Sequence, residues 1–139
     1  MVRSPMLLGT DGEREGATQI AVVRMAIGGF ALGATGLARV VFRLPREDDS
    51  PATRVLARLF GIRNIVLGLT TLSLRDASVE TRRRNYQLNA VVDAVDVAVL
   101  AWPIVKGDGL AQFGGMAGLL GVSATLAWLE LLQRLEAAA

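Results

Sequence analysis

Asp93 and Asp96 stand three residues apart in "NAVVDAVDVAVLAW" (89–102), a stretch otherwise built almost wholly from Val, Ala and Leu. On a helix this spacing puts both carboxylates on one face, with Asn89 one turn earlier on the same face. Arg63 and Asn64 interrupt a second apolar stretch, and Arg24 interrupts a third. Neighbouring carboxylates titrate apart, so one can act as an acid and the other as a base while a guanidinium orients both. The catalytic candidates are therefore Asp93, Asp96 and Arg63. Arg24, Asn64 and Asn89 are the candidate substrate-binding side chains, together with Gly61 and Gly68, which flank Arg63 and leave room beside it for a substrate or a neighbouring helix.

Composition excludes most other chemistry. The 139 residues include no Cys and no His. Disulfides, thiol nucleophiles, Cys/His metal sites, His-ligated haem and a Ser-His-Asp triad are thus ruled out within this chain. No metal and no cofactor is expected. Net charge is +2, and the longest basic run is Arg82–Arg84. Aromatics are scarce, so the basic face with interleaved aromatics that nucleic-acid binding needs is missing. Arg supplies all but one of the 15 basic residues, the usage of a GC-rich bacterial genome.

The elements that carry these residues are four apolar segments, about 19–42, 55–74, 88–105 and 110–132. Each is close to the ~20 residues of a spanning helix. The connections "RLPREDDSPAT", "RDASVETRRRNYQ" and "KGDG" are polar and rich in breakers. The expected fold is an all-α integral membrane four-helix bundle over 19–133. A flexible or interfacial tail (1–18) precedes it, and a short tail (134–139) follows. A soluble four-helix bundle is the competing expectation, but it requires a broad polar face on each helix. "AIGGFALGATGLA" and "GGMAGLLGVSATLAW" have none. A signal peptide over the first segment would need a shorter apolar core without Arg24.

A buried aspartate in a span is expensive. Two cost roughly 5–7 kcal/mol, and the eight aliphatic residues from Val91 to Val105 return roughly 2.4–4.8 kcal/mol. The third segment needs partners, a proton or water. Arg63 and Asp96 lie near the middle of antiparallel segments, and Arg24 and Asp93 each lie about five residues into theirs. The depths predict Arg63–Asp96 and Arg24–Asp93 contacts, or one shared network. Such groups either fix helix register or line a functional site.

Loop charge orients the chain. Arg75, Arg82, Arg83 and Arg84 lie in the loop between the second and third segments, and Arg3, Arg14 and Arg134 lie in the tails. This bias puts both termini in the cytoplasm and makes the chain a multi-pass protein of the bacterial inner membrane. Arg54 and Arg58 are expected to snorkel, as are Arg39 and Glu130 near segment ends. Gln112 and Trp128 read as interfacial, and Trp102 with Pro103 as the outer end of the third segment. Gly29 and Gly33, with Gly28 and Gly36, and Gly114 and Gly118, with Gly115 and Gly121, have small-xxx-small spacing. These glycine faces of spans one and four either join the two spans in one protomer or pair two copies as a homodimer.

"LARLFGIRNIVLGL" followed by "VVDAVD" resembles an uncharacterised family of small bacterial four-span membrane proteins. In that family a Gly-x-Arg-[Asp/Asn] element in the second span precedes paired aspartates in the third. The resemblance covers about 53–98 and rests on Gly61, Arg63, Asn64, Gly68, Asp93 and Asp96. Asn64 stands where Asp is common, so no carboxylate role is carried over to it. The resemblance implies a fold and a site, and no activity.

Three functions fit the residues. The first is a site for a lipophilic small molecule reached from the lipid bilayer, with acid–base chemistry such as isomerisation, cyclisation or epoxide opening. The second is a small dimeric transporter coupled to protons or cations through the aspartates. The third is a non-catalytic accessory subunit of a larger membrane complex.

Overall fold

A computed structural model describes residues 4–33, 50–107 and 111–138, with backbone alone at 103–104 and 111–116. The expectations for Gly36, Arg39, Pro103, Gln112, Gly114 and Gly115 lie outside the described residues or side chains. The described chain is all-helical. A 3-10 turn, Pro5–Leu7, precedes α1 (Glu13–Gly33), α2 (Pro51–Ser73), α3 (Val79–Lys106) and α4 (Ala111–Ala137).

Local chemistry sets the helix ends. Ser50 Oγ accepts from Thr53 N at 3.1 Å, with Pro51 in the first turn of α2. Ser78 Oγ accepts from Thr81 N at 3.2 Å and caps α3 in the same way. Glu80 then pairs with Arg83 and Arg84 at i+3 and i+4. That capped, charged start extends α3 some two turns ahead of its apolar stretch at 88. Gly107, at φ 76°, takes the left-handed conformation that stops it. Likewise α1 starts at Glu13, well before the apolar stretch at 19, with Glu13 and Glu15 in its first turn favouring the helix dipole.

The helices pack as two pairs. α1 lies chiefly on α2, and α3 chiefly on α4, while contact between the pairs is sparser. Glycine brings the first pair together. A Cβ on Gly28 would sit 2.5 Å from the Gly61 carbonyl oxygen, and one on Gly61 would sit 2.7 Å from the Gly28 carbonyl oxygen. A Cβ on Gly68 would sit 2.8 Å from the Ala21 carbonyl oxygen. In the second pair Gly121 accepts Val97. Gly29, Gly33 and Gly118 have no neighbour within 4 Å of where a Cβ would be.

Several polar side chains are buried while many large apolar ones are exposed. Arg24, Asn64, Thr71, Asn85, Asn89 and Asp93 are buried, while Val22, Leu56, Leu59, Ile62, Val66, Leu69, Val91, Val95 and Val99 are exposed. One apolar cluster closes the end of the bundle nearest the termini, where Leu7, Ile20, Tyr86, Trp128, Leu131 and Leu135 meet. By length and composition α1 and α2 could each cross a membrane, and only 22% of the most apolar window of α2 is buried. Among the described residues, α3 and α4 do not reach that combination of length and composition.

Candidate functional site

The seam between the two helix pairs holds the candidate residues. Arg24, reaching out from α1, uses all three of its guanidinium nitrogens. Nε donates to Asn64 Oδ1 of α2 at 2.9 Å, Nη1 to Asn89 Oδ1 of α3 at 2.6 Å, and Nη2 to Asp93 Oδ1. The other Asp93 oxygen accepts from Trp128 Nε1 of α4 at 2.9 Å. The Arg24 guanidinium carbon also lies 6.0 Å from the centre of the Trp128 ring. One arginine thus ties all four helices together.

The network continues towards the termini. Asn89 Nδ2 donates to the Asn85 carbonyl at 2.8 Å, and Asn85 Nδ2 donates to Thr71 Oγ1 at 3.1 Å. Thr71 Oγ1 in turn donates to the Leu67 carbonyl at 3.0 Å. Asn64 Nδ2 donates to the Phe60 carbonyl at 2.9 Å. Farther along, the hydroxyl of Tyr86 donates to Glu13 Oε1, which also accepts from Arg82 Nε at 3.2 Å. Buried polar groups are costly unless paired, and here the chain supplies the pairing.

Arg63 and Asp96 form the second ion pair. Nη1 donates to Oδ1 at 3.0 Å and Nη2 to Oδ2, a bidentate geometry. This pair differs from the first in two ways. The Arg63 and Asp96 side chains are 40% and 26% exposed, against 7% and 6% for Arg24 and Asp93. Arg63 Nε is enclosed without a hydrogen-bond partner. The guanidinium lies over the Phe60 ring, 5.5 Å from its centre, and both Phe60 and Val99, three residues from Asp96, are exposed.

The structure therefore brings Arg24, Asn64, Asn89 and Asp93 into one cluster and sets Arg63 with Asp96 beside it. Both ion pairs match the depths read from the sequence. Each aspartate faces its own arginine, so the two carboxylates each have a countercharge in place. Gly61 and Gly68 lie against α1, which takes the space beside them. Among the described residues, no three metal-ligating side chains gather.

Two sequence expectations are corrected. Trp128 is completely buried rather than interfacial, because its indole N–H is the second donor to Asp93. Glu130 is buried rather than snorkelling. It accepts from the Ser4 backbone N–H at 2.6 Å and from Arg134 at 2.7 Å, which fastens the N-terminal segment onto α4. Asn85 and Thr71 also escaped notice as network members. The signal for Asn85 was its place four residues before Asn89 on the face that continues to Asp93. No family model, curated protein or solved structure matches the chain.

Proposed function

We propose that the chain is an integral membrane protein of the bacterial inner membrane, with four spans at about 19–42, 55–74, 88–105 and 110–132 and both termini cytoplasmic. We propose that its Arg63–Asp96 pair holds the polar group of a lipophilic small molecule. The many exposed large apolar side chains, together with the buried polar ones, support the membrane reading. Apolar side chains on the outside suit acyl chains, and intramembrane charges face inward and pair. The small four-span family suggested by the Gly61–Arg63–Asn64 and Asp93–Asp96 motifs belongs to the same reading.

The observation that carries the binding site is the contrast between the two ion pairs. Each guanidinium nitrogen of Arg24 and each carboxylate oxygen of Asp93 already has a protein partner, which suits a pair that holds four helices in register. Arg63 and Asp96 are half-open, and the guanidinium borders exposed Phe60. A ligand with one polar group and an apolar body fits that border. The chemistry such a site supports is acid–base. Asp96 takes a proton from one carbon or oxygen of the ligand and returns it to another, while Arg63 steadies the charge that develops between. An isomerisation of this kind leaves the site unchanged and needs no further reactant.

The test is native mass spectrometry of the purified protein in mild detergent. A defined non-lipid molecule is expected on the wild-type protein, lost in Asp96→Asn and Arg63→Gln and kept in Gly29→Ala. A wild-type protein carrying only bulk lipid would overturn the proposal. One observation favours the accessory-subunit reading as well. The small faces at Gly29, Gly33 and Gly118 are open within the described chain, as a helix-docking surface would be. A stoichiometric membrane partner, lost on Gly29→Leu and kept in Asp96→Asn, would decide for that reading.

A further inference from the structure

A groove lies away from the ion pairs, at the end of the bundle nearest the termini. It encloses about 1030 Å³ between the start of α1 and the connection from α2 into α3. Its charged rim includes Arg14, Glu15 and Arg75, and its apolar wall includes Val22, Val23 and Val79. All three valines are exposed. Val22 lies eight residues, roughly 12 Å of helix rise, beyond Arg14 towards the centre of the bundle. The groove is thus charged at its mouth and apolar along its length. That is the profile of the boundary between headgroups and acyl chains.

The charges at the rim are not equal in availability. Glu13 and Arg82, which also line the groove, are committed to each other and to Tyr86. Arg14 pairs with Asp76, both of them exposed. Among the described residues, the Arg75 and Glu15 side chains make no hydrogen bond or ion pair. One free guanidinium and one free carboxylate therefore share one groove.

We infer that this groove binds a single phospholipid whose headgroup carries both a phosphate and a primary ammonium. Arg75 takes the phosphate, with Arg14 beside it, and Glu15 accepts the ammonium hydrogens. Val22 and Val23 lie along an acyl chain. A guanidinium suits phosphate geometry, and basic pockets at the cytoplasmic ends of spans are common headgroup sites. The carboxylate selects among headgroups. A trimethylated ammonium has no N–H to give, and an anionic headgroup meets Glu15 as a like charge. The site rests on the membrane reading proposed above.

The full-length protein in mild detergent is offered equal amounts of phosphatidylethanolamine, phosphatidylcholine and phosphatidylglycerol, and native mass spectrometry reads the one-lipid adducts. Phosphatidylethanolamine is expected to exceed phosphatidylcholine by roughly threefold to fivefold, the discrimination that one half-exposed charged contact supplies. Arg75→Gln lowers retention of phosphatidylethanolamine, and Glu15→Gln removes the preference while leaving total lipid binding near wild type. Both residues are exposed, so neither change threatens the fold. Free phosphoethanolamine at millimolar concentration leaves the adduct in place, because it lacks the acyl chains. Equal retention of the three lipids, a preference for phosphatidylglycerol, variants indistinguishable from wild type, or displacement by free phosphoethanolamine would each overturn the inference. Carbonate washing of native membranes separates this from failure of the membrane reading. A protein that stays in the pellet yet shows no headgroup preference refutes only the lipid site, and a protein released by the wash refutes the membrane reading itself.

Discussion

Replacing Arg24 with Met removes the one side chain that touches three polar partners on two other helices. Asp93 is then left buried, with Trp128 Nε1 as its remaining donor, and the Asn64 and Asn89 side-chain carbonyls lose theirs. Breaking a buried ion pair from one side costs about 3–5 kcal/mol, because the remaining charge has no compensation. Each orphaned amide adds about 0.6 kcal/mol, the average for a hydrogen bond between membrane helices. The ion pair dominates, so Arg24→Met should destabilise by about 4–6 kcal/mol. The double change Arg24→Met with Asp93→Leu should recover most of that loss, since apolar replacement of a whole buried pair is often neutral. Unfolding by sodium dodecyl sulfate in mixed micelles, followed by far-UV circular dichroism and tryptophan fluorescence, measures both. A single variant within about 1 kcal/mol of wild type, or a double variant no more stable than the single, would refute the role given to Arg24.

The half-open pair should behave differently. On the membrane reading, Arg63→Gln leaves the Asp96 carboxylate without its countercharge at mid-span and should cost about 2.5–3.5 kcal/mol in the same titration, less than the loss of Arg24 because the half-open carboxylate can take a proton. Helix contact gives a sharp contrast between adjacent glycines. Gly28→Ala drives a methyl group into the Gly61 carbonyl and should cost about 1–3 kcal/mol, while Gly29→Ala meets open space and should be neutral or stabilising by up to about 1 kcal/mol. Thermal midpoints of the two variants decide this. Tyr86, at the charged start of α3, has its phenol held above the ordinary value of 10.0 by burial and then by the Glu13 carboxylate it bonds. A raised phenol gives stability that is present below that ordinary value and is lost as pH climbs past it. Midpoints between pH 8 and 11.5 should therefore fall steeply above about pH 10 in wild type and less steeply in Tyr86→Phe. Parallel curves would count against the Tyr86–Glu13 bond.

The ion pairs were readable before the fold because depth along antiparallel spans is a sequence quantity. Charges at matched depth have few other partners in an apolar surround, so Arg24 meets Asp93 and Arg63 meets Asp96. Rotation of a helix about its axis is not a sequence quantity in the same way. Gly28 and Gly29 both belong to small-residue patterns, and their faces lie about 100° apart. Only the matching glycine at 61 decides that 28 is the contact. Trp128 was misread for the same reason. A tryptophan near the end of an apolar segment has the profile of an interfacial anchor, and nothing local says that α4 turns it inward. Its partner Asp93 is 35 residues away in the chain. Glu130 is buried, and one of its contacts comes from the backbone of Ser4, which no side-chain pattern announces. The helical starts at Glu13 and Val79 lie outside the apolar stretches because capping and charge pairs extend a helix where hydropathy has ended.

The two arginine–aspartate pairs show how a charged interior divides between holding and acting. A guanidinium has five N–H donors and an ionised carboxylate about four acceptor sites, so a pair alone leaves capacity unused. Around Arg24 and Asp93 the chain places two asparagines and a tryptophan, each aimed at a remaining nitrogen or oxygen, and the cluster closes. Any ligand entering there would have to displace a protein group of equal quality, and gains nothing by doing so. Among the described residues, no such shell surrounds Arg63 and Asp96. Asn64 is adjacent in sequence, yet it turns to Arg24 and its own helix. The side chain that could have completed the second pair serves the first. On the membrane reading proposed above, a protein that needed only register between its helices would have reason to satisfy both pairs, since each unmade bond in a lipid surround costs stability. On that reading, an outer pair left open beside Phe60 is the arrangement expected of a site that a molecule from the bilayer completes.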